Sequence, residues 1–299
     1  MNKINTQLLG IVLAFLSANF FSSKVVLVKW AYADGLSPME VLSLRMGVAL
    51  PLFAVLTFLI LKKRSGEKPS LRDFMGMAGL GMIGYYLSSV LDFHGIQYIT
   101  AGLERLLLYL YPSFLVLIRS IATRSFPRSM EVFALLLAYT GAALVYADEN
   151  GGPSSAPLIG SLLVLGAAFC FAFYLYSSTH YIERFGSRLF ACFSTSVSCI
   201  AILVHGAIVA DKSPFEAPAS AIAVCAAMGL FCTFLPTMVM HQAIALIGSA
   251  KVGILGTSGI LCPLILGILL FNEPISTYRL AGILLVLVSV VTLTIKKPG

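Results

Sequence analysis

Four charged side chains fall at a similar predicted depth inside apolar stretches that are each long enough to cross a membrane. They are Lys24, Arg45, Glu104 and Arg105. A charge near the centre of a bilayer costs about 2.5 kcal/mol or more, so such residues face the interior of a helix bundle and mark ion pairs or pathways there. Glu104 is the acidic residue placed well inside a predicted span, which makes it the best partner for Lys24, Arg45 or Arg105. Successive residues diverge by about 100° around a helix, so we expect Glu104 and Arg105 to face different partners.

Two uses of this predicted charge network are compatible with the sequence. A buried ion-pair lock would hold the helices together and do nothing else. Alternatively, Lys24 or Arg105 binds a carboxylate or phosphate of a substrate, while Glu104 binds a proton or an amino group. The similar predicted depth of all four charges favours a network over four unrelated residues.

Other polar residues recur at a spacing that places them along one face of a helix. Such stripes would line an aqueous cavity, and hydrogen bonds between neighbouring helices are the alternative use of their hydroxyl groups. Tyrosines suit a cavity best, because the ring can pack on a substrate while the hydroxyl donates. The predicted pathway residues are Asn19, Ser22, Ser23, Lys24, Tyr85, Ser88, Ser89, Asp92, Glu104, Tyr111, Tyr174, Ser178, Thr233, Thr237 and His241.

The composition determines what kind of elements must hold these residues. Of the 299 residues, 59% are apolar and 11% are charged, and the mean hydropathy is +0.94. A soluble domain carries about 25% charged residues, so this chain has too little polar surface to be a soluble enzyme, a disordered chain or a disulfide scaffold. The six cysteines lie in apolar runs without metal-ligand spacing, and we expect neither a metal nor a cofactor.

A helix needs roughly 20 residues to cross the hydrocarbon core of a bilayer. By this measure the sequence predicts an all-α integral membrane protein with ten transmembrane helices and short connections, and the first apolar run is a retained span and not a cleaved signal. We number the spans 1 to 10 in chain order. They cover about residues 7–31, 38–61, 73–93, 97–119, 129–147, 157–181, 188–209, 219–242, 248–271 and 277–295.

The basic residues in the predicted loops are distributed unequally between the two sides of the membrane. Thirteen of them, from Lys3 to Lys297, fall on one side, whereas Lys212 and Arg279 fall on the other, where Asp92 is also placed. Because short cytoplasmic loops carry the excess of Lys and Arg, both termini are expected in the cytoplasm. This topology accounts for the net charge of +7 without a nucleic-acid partner.

The second half of the chain repeats the first at a lag of about 150 residues. Gly10 aligns with Gly160, and Pro112 aligns with Pro263. Five spans per repeat is an odd number, so the two repeats, residues 1–150 and 151–299, must enter the membrane from opposite sides. Inverted repeats are a recurring construction of secondary transporters, which expose one site alternately to each face. The two repeats would form a single membrane domain.

The chain also resembles a known family. The stretch ITAGLER at 99–105, the LYP at 110–112 and the segment from Pro263 to the FNEP at 271–274 resemble EamA-type members of the drug/metabolite transporter superfamily, and the resemblance covers essentially the whole chain. It implies an exporter of amino acids or other small metabolites, with neighbouring families that move nucleotide-sugars or phosphorylated sugars. The implied substrate cavity lies between the halves, lined by spans 1, 3, 4, 6, 8 and 9. The acidic ending of span 4 is replaced here by ATRS at 122–125.

Three prolines lie inside predicted spans: Pro112, Pro236 and Pro263. Each removes a backbone hydrogen bond and bends its helix, so the three are candidate hinges, with static kinks as the alternative.

We therefore predict a secondary transporter of the inner membrane that works by alternating access. A small-molecule metabolite and the lipid bilayer are its expected partners, and protons are a candidate coupling ion. An integral-membrane enzyme acting on lipid-like substrates is the alternative from another class, and a nucleotide-sugar or phosphate-metabolite exchanger is a second one. The enzyme is disfavoured because the predicted network contains no paired carboxylates.

Overall fold

The computed structural model of the chain describes residues 3–64, 66–149, 156–209, 216–247, 252, 255–271 and 276–295. These residues form helices and short connections, and no β-strand occurs among them. Eight helical segments are long and apolar enough to cross a membrane: Thr6–Ala33, Pro38–Lys63, Leu71–Ile96, Ala101–Ala122, Ser129–Asp148, Ala156–Phe185, Ser187–Val209 and Ala219–Ile244. Two shorter apolar helices, Ser258–Leu270 and Thr277–Thr292, follow at the positions of spans 9 and 10. The predicted all-helical membrane fold is thereby confirmed.

Several spans are interrupted in the middle. Span 1 consists of helices Lys3–Ser22 and Lys24–Ala33, and span 4 consists of Ala101–Leu108 and Tyr111–Ala122. In span 9 a 3₁₀ turn, Thr257–Ile260, precedes the helix Leu261–Phe271. Where a helix is interrupted, some backbone groups lose their hydrogen bonds within the helix. Membrane proteins tolerate such groups only where they are buried in the protein or line a cavity.

Spans 3 and 8 each contain a π-helical segment, at the same place in the two halves. Met82–Leu87 separates helices Leu71–Gly81 and Ser88–Ile96, and Leu230–Phe234 follows helix Ala219–Gly229. The π-helix is rare and occurs often at functional sites, because its wider turn leaves a backbone group without its usual partner. The remaining helices are Pro38–Lys63, Ser129–Glu149, Ala156–Phe185, Ser187–Val209, Leu235–Ile247 and Thr277–Ile295.

Local signals in the sequence explain where helices begin. Ser37 and Ser70 each form a capping box with the acidic residue three positions later, and the Thr100 side chain accepts a hydrogen bond from the Leu103 backbone N–H at 3.2 Å. These caps satisfy N–H groups that the first turn of a helix leaves free. Gly186, at φ +87°, forms the one-residue turn between spans 6 and 7, where a side chain would be strained.

Spans of one half pack against spans of the other half in equivalent pairs. Span 1 packs on span 8, span 3 packs on span 6, and spans 2 and 5 pack on spans 7 and 10. A two-fold axis that relates the halves would produce this pairing, which matches the arrangement expected for inverted repeats. The predicted boundary at residue 150 lies outside the described residues and stays a prediction.

Two assignments to the outer loops were wrong. Asp92 is 2% exposed and lies in helix Ser88–Ile96, near the end of the predicted span 3, where it faces the interior of the bundle. Arg279 is 1% exposed in the first turn of span 10, and its Nη2 donates to Thr100 Oγ1 at 3.2 Å. Both side chains are therefore buried among the helices.

Candidate functional site

Four charged residues from spans 1, 3 and 4 meet inside the bundle. The Lys24 ammonium donates a hydrogen bond to Asp92 Oδ2 and lies 3.9 Å from Glu104 Oε1, while Arg105 Nε lies 3.6 Å from Glu104 Oε2. All four residues are buried, and Glu104 is fully inaccessible. We call Lys24, Asp92, Glu104 and Arg105 the charge cluster.

The break in span 1 positions two members of the charge cluster. Ser22 ends one helix and Lys24 begins the next. Arg105 Nη2 donates a hydrogen bond to the Ser22 carbonyl at 3.1 Å. Span 4 is therefore bonded to span 1 at its break, within one turn of the contact between Lys24 and Glu104.

The charge cluster is incompletely hydrogen-bonded. Among the described residues, Asp92 Oδ1, both carboxylate oxygens of Glu104 and Arg105 Nε have no hydrogen-bond partner. The separations of 3.6 and 3.9 Å allow electrostatic attraction but are too long for hydrogen bonds. Buried polar atoms are normally paired, so these unpaired oxygens suit a proton, a water molecule or a ligand donor.

Arg45 lies beside the charge cluster and joins the two halves. Its Nε donates to Thr233 Oγ1 at 2.7 Å, across the contact between spans 2 and 8. Thr233 is in the π-helical segment of span 8 and donates to the Met228 carbonyl at 3.1 Å. The Arg45 guanidinium and the Lys24 ammonium lie 5.3 and 5.5 Å from the centre of the Phe93 ring, within reach of cation–π attraction.

The predicted charge network thus differs from the observed one in two respects. Asp92, and not Glu104, is the nearest carboxylate to Lys24, whereas Arg45 pairs with a threonine. Glu104 and Arg105 do not face fully different partners, because the long Arg105 side chain folds back towards its neighbour while its tip reaches Ser22. The divergence of about 100° between successive residues describes the directions of their Cβ atoms, and the end of a long side chain such as that of Arg105 can still turn back towards its neighbour.

Aromatic side chains of spans 3, 4, 6 and 7 pack against one another. Tyr174 packs edge-on against Tyr85 at 5.1 Å and stacks on Phe190 at 5.3 Å between ring centres. Tyr111 packs edge-on against Phe171 at 5.3 Å. The tyrosines predicted to line a cavity therefore contact other rings here.

Several predicted pathway hydroxyls are used in helix contacts. Ser88 Oγ donates to the Ala167 carbonyl of span 6 at 3.0 Å, while Ser178 and Thr237 donate to carbonyls of their own helices. Of these bonds, the one from Ser88 corresponds to the alternative of hydrogen bonding between neighbouring helices. Asn19 Nδ2 donates to the Phe15 carbonyl and lies 3.4 Å from Ser258 Oγ. Ser23 Oγ donates to the Phe20 carbonyl. Ser22 is buried, and Ser89 is half-buried. The side chain of His241 lies outside the described residues.

Each predicted hinge proline is found at a discontinuity. Pro112 is in the first turn of helix Tyr111–Ala122, and Pro263 is in the first turn of helix Leu261–Phe271. Pro236 follows the π-helical segment of span 8, and its carbonyl accepts a hydrogen bond from Ser17 at 2.8 Å. Whether these positions bend during function stays a prediction.

Two cavities have walls that do not include the side chains of the charge cluster. One, of about 350 Å³, lies near Ile60, Phe185 and Ile244. The other, of about 290 Å³, is apolar and lies between spans 1, 8 and 9, with Ser23 and Cys232 in its wall. Within the described part of the chain, no group of three or more His, Cys, Asp or Glu side chains is placed to hold a metal ion.

Sequence reasoning missed several polar contacts around the site. The Tyr32 hydroxyl donates to the Phe93 carbonyl and the Tyr109 hydroxyl donates to the Gly256 carbonyl, each at 2.6 Å. Asp92 shares a stripe with Tyr85 and Ser88, a signal that placed it on an inward face but not opposite Lys24. Pairing between distant spans has no local sequence signal.

Comparison with known proteins agrees with this architecture. The model of the EamA-like transporter family matches residues 8–147 and again residues 158–295. Two separate matches of one family model are what duplicated halves would give.

Three relatives share recognisable sequence. The uncharacterized transporter YcbK of Bacillus subtilis (strain 168) is 26% identical over 285 residues, covering 94% of this chain and 91% of its own. YvbV of the same organism, also named an uncharacterized transporter, is 26% identical over 221 residues, covering 69% and 70%. An uncharacterized transporter of Archaeoglobus fulgidus is 27% identical over 164 residues, covering 55% of each chain. A solved crystal structure superposes with a TM-score of 0.64 over 95% of both chains at 15% identity, which is evidence for the fold.

Proposed function

Because this chain belongs to the EamA-like transporter family, we propose that it exports small metabolites, namely amino acids or related compounds, by alternating access across the cytoplasmic membrane. The observation that carries the proposal is the buried charge cluster with unpaired carboxylate oxygens on Glu104 and Asp92. A transporter needs polar groups within the bilayer that can exchange partners, and a purely structural lock would have its hydrogen bonds complete.

The chemistry of the cluster suits a zwitterion. An ammonium group has three N–H donors and complements the unpaired oxygens of Glu104. The cationic side chains nearby complement a carboxylate. An amino acid carries both groups, whereas a sugar phosphate would use the cations and leave the carboxylates unpaired.

Protons are a second ligand that the unpaired oxygens would accept. A carboxylate that alternates between a proton and a substrate amino group couples the two fluxes in opposite directions, because the two cannot occupy it together. We therefore propose Glu104 as the coupling carboxylate and Asp92 as its neighbour held by Lys24.

Alternating access is supported by the equivalent pairs of spans that pack between the two halves. Spans 1 and 8 and spans 3 and 6 pack as equivalent pairs, so equivalent contacts between the halves are available to close either face. The breaks in spans 1 and 4, with Pro112 and Pro263 next to such breaks, are where the helices would bend.

We propose an inner-membrane location with both termini in the cytoplasm. The basic loop residues carry this part of the proposal. Fusion of a fluorescent protein to the C-terminus and of alkaline phosphatase to the same site tests it. Fluorescence without phosphatase activity is expected, and the reverse result would contradict the orientation.

Counterflow in proteoliposomes tests the transport proposal. Vesicles preloaded with an unlabelled amino acid should accelerate uptake of the same labelled amino acid, which a channel or an enzyme does not do. A prior thermal-shift screen against amino acids, sugar phosphates and nucleosides selects the ligand, because a compound that binds the folded state raises its melting temperature. Exchange confined to sugar phosphates or nucleotides would replace the amino-acid assignment, and release of a chemically altered product would indicate an enzyme.

A further inference from the structure

Arg45 is a buried cation that forms no ion pair within 4 Å with any described carboxylate. The residue is 4% exposed, and its one hydrogen bond to a described residue runs from Nε to Thr233 Oγ1. Its terminal nitrogens, Nη1 and Nη2, donate no hydrogen bond to the described residues. The Phe93 ring lies 5.3 Å from the guanidinium, and the thiols of Cys199, Cys225 and Cys232 and the carboxylate of Asp92 are the other polar groups near it.

The buried charges around Arg45 do not balance. Lys24, Arg45 and Arg105 carry three positive charges, while Asp92 and Glu104 carry two negative charges. Lys24 and Arg105 each lie within 4 Å of a carboxylate, whereas Arg45 has only the more distant Asp92, which already pairs with Lys24. An uncompensated charge inside a membrane bundle is costly, and a compensating anion removes that cost.

The guanidinium group also fits the geometry of one class of anion. Its planar fork presents parallel N–H donors that match the two oxygens of a carboxylate. The bond from Nε to Thr233 fixes one edge of the group and leaves the terminal nitrogens for a ligand. Thr233 is itself held by its bond to the Met228 carbonyl in the π-helical segment, so the orientation of Arg45 depends on span 8 of the other half.

We infer that Arg45 is the residue that binds the carboxylate of the substrate, between spans 2 and 8. This inference rests on the proposed function and makes it more specific, since Lys24 and Arg105 are already paired. Arg45 and Lys24 both lie against the Phe93 ring, and Lys24 also lies beside Asp92 and Glu104. A zwitterion bound with its carboxylate at Arg45 would therefore extend its amino group towards these two carboxylates.

The test compares an amino acid with its carboxamide, which lacks the negative charge and keeps the amino group. Thermal shift and counterflow are measured on wild type, Arg45→Gln and Arg45→Lys. The matched control is Arg188→Gln, an exposed arginine at the start of span 7. Wild type should prefer the amino acid. Arg45→Gln should weaken its binding roughly 10-fold or more while leaving the carboxamide nearly unchanged, because one charge-assisted pair is lost.

Arg45→Lys keeps the positive charge but lacks the planar guanidinium, so it should retain part of the preference for the amino acid over the carboxamide. It also serves as the folded variant if Arg45→Gln does not express. An unchanged preference in folded Arg45→Gln, or in Arg45→Lys where the glutamine variant fails to fold, would overturn the inference. Equal losses for amino acid and carboxamide would assign Arg45 a structural role and would also overturn it. If wild type binds sugar phosphates and no amino acid, the proposed substrate class fails, and loss of phosphate binding in Arg45→Gln would still place the anion at Arg45.

Discussion

Lys24 of span 1 and Asp92 of span 3 form an ion pair inside the bundle, and both residues are more than nine-tenths buried. The pair joins two spans of the same half directly beside the contact with the other half. Its position explains why a lysine occurs in the middle of the first apolar stretch.

Breaking this pair should destabilise the protein and impair transport. Lys24→Ala or Asp92→Asn leaves a buried charge without its partner, which costs about 3–5 kcal/mol in the free energy of unfolding. Melting temperature in detergent and counterflow rate measure the two effects. The double variant Lys24→Met, Asp92→Leu should recover much of the stability but not the transport. Full transport in that double variant would show that the pair is only a lock.

Glu104→Gln should impair transport without preventing membrane insertion. The amide keeps the size of the side chain but can neither ionise nor accept a proton for coupling. Expression and gel filtration monitor insertion, and proton-driven flux monitors function. Glu216→Gln, a change at an exposed acidic residue, is the control and should behave like wild type. Normal flux in Glu104→Gln would remove this carboxylate from the mechanism.

A polar contact joins the two halves on the face predicted to be cytoplasmic. Arg184, at the end of span 6, binds Glu67 and donates to Asp73 Oδ1 at 3.0 Å, while Arg64 Nη1 donates to the Phe185 carbonyl at 2.8 Å. If the halves separate on this face, a disulfide between Glu67→Cys and Arg184→Cys should arrest transport, and reduction should restore it. The two single variants are the controls. Undiminished flux in the cross-linked protein would show that this face does not open.

The same contact should contribute a pH dependence. The hydrogen bond from Arg184 lowers the pKa of Glu67. A lowered pKa means that the contribution to stability is present above the ordinary pKa of about 4.3 and is lost as the pH falls through the lowered value. The melting temperature of wild type should therefore exceed that of Glu67→Gln at pH 7, and the difference should vanish at strongly acidic pH. A difference that grows on acidification would contradict the assignment.

Spans 5 and 10 approach closely enough to exclude side chains at two glycines. A Cβ on Gly141 would lie 2.5 Å from the Gly282 carbonyl oxygen, whereas a Cβ on Gly79 would have no neighbour within 4 Å. Gly141→Val should lower the free energy of unfolding by about 1–3 kcal/mol, because the helices must separate. Gly79→Ala is the control and should be neutral or slightly stabilising. Thermal unfolding in detergent compares them, and equal stability would argue against this close approach.

The spans themselves were predictable, because their length and apolar character are imposed by the thickness of the bilayer. Asp92 lies near the end of the predicted span 3, and it was counted with the charges of the outer side. It is buried and pairs with Lys24 instead. This partner could not be predicted from local hydropathy, because it comes from another span.

The sequence by itself determined the class of the protein, the approximate spans, the duplication and the presence of charges that need a partner inside the membrane. These properties depend on local composition and on repeated spacing. Only the tertiary structure decided which charges meet: Lys24 with Asp92, Arg105 with Glu104 and Ser22, and Arg45 with Thr233. The reason is that partner choice depends on how interrupted helices pack and rotate against one another, and the contacts that set this rotation lie as many as 188 residues apart in the chain.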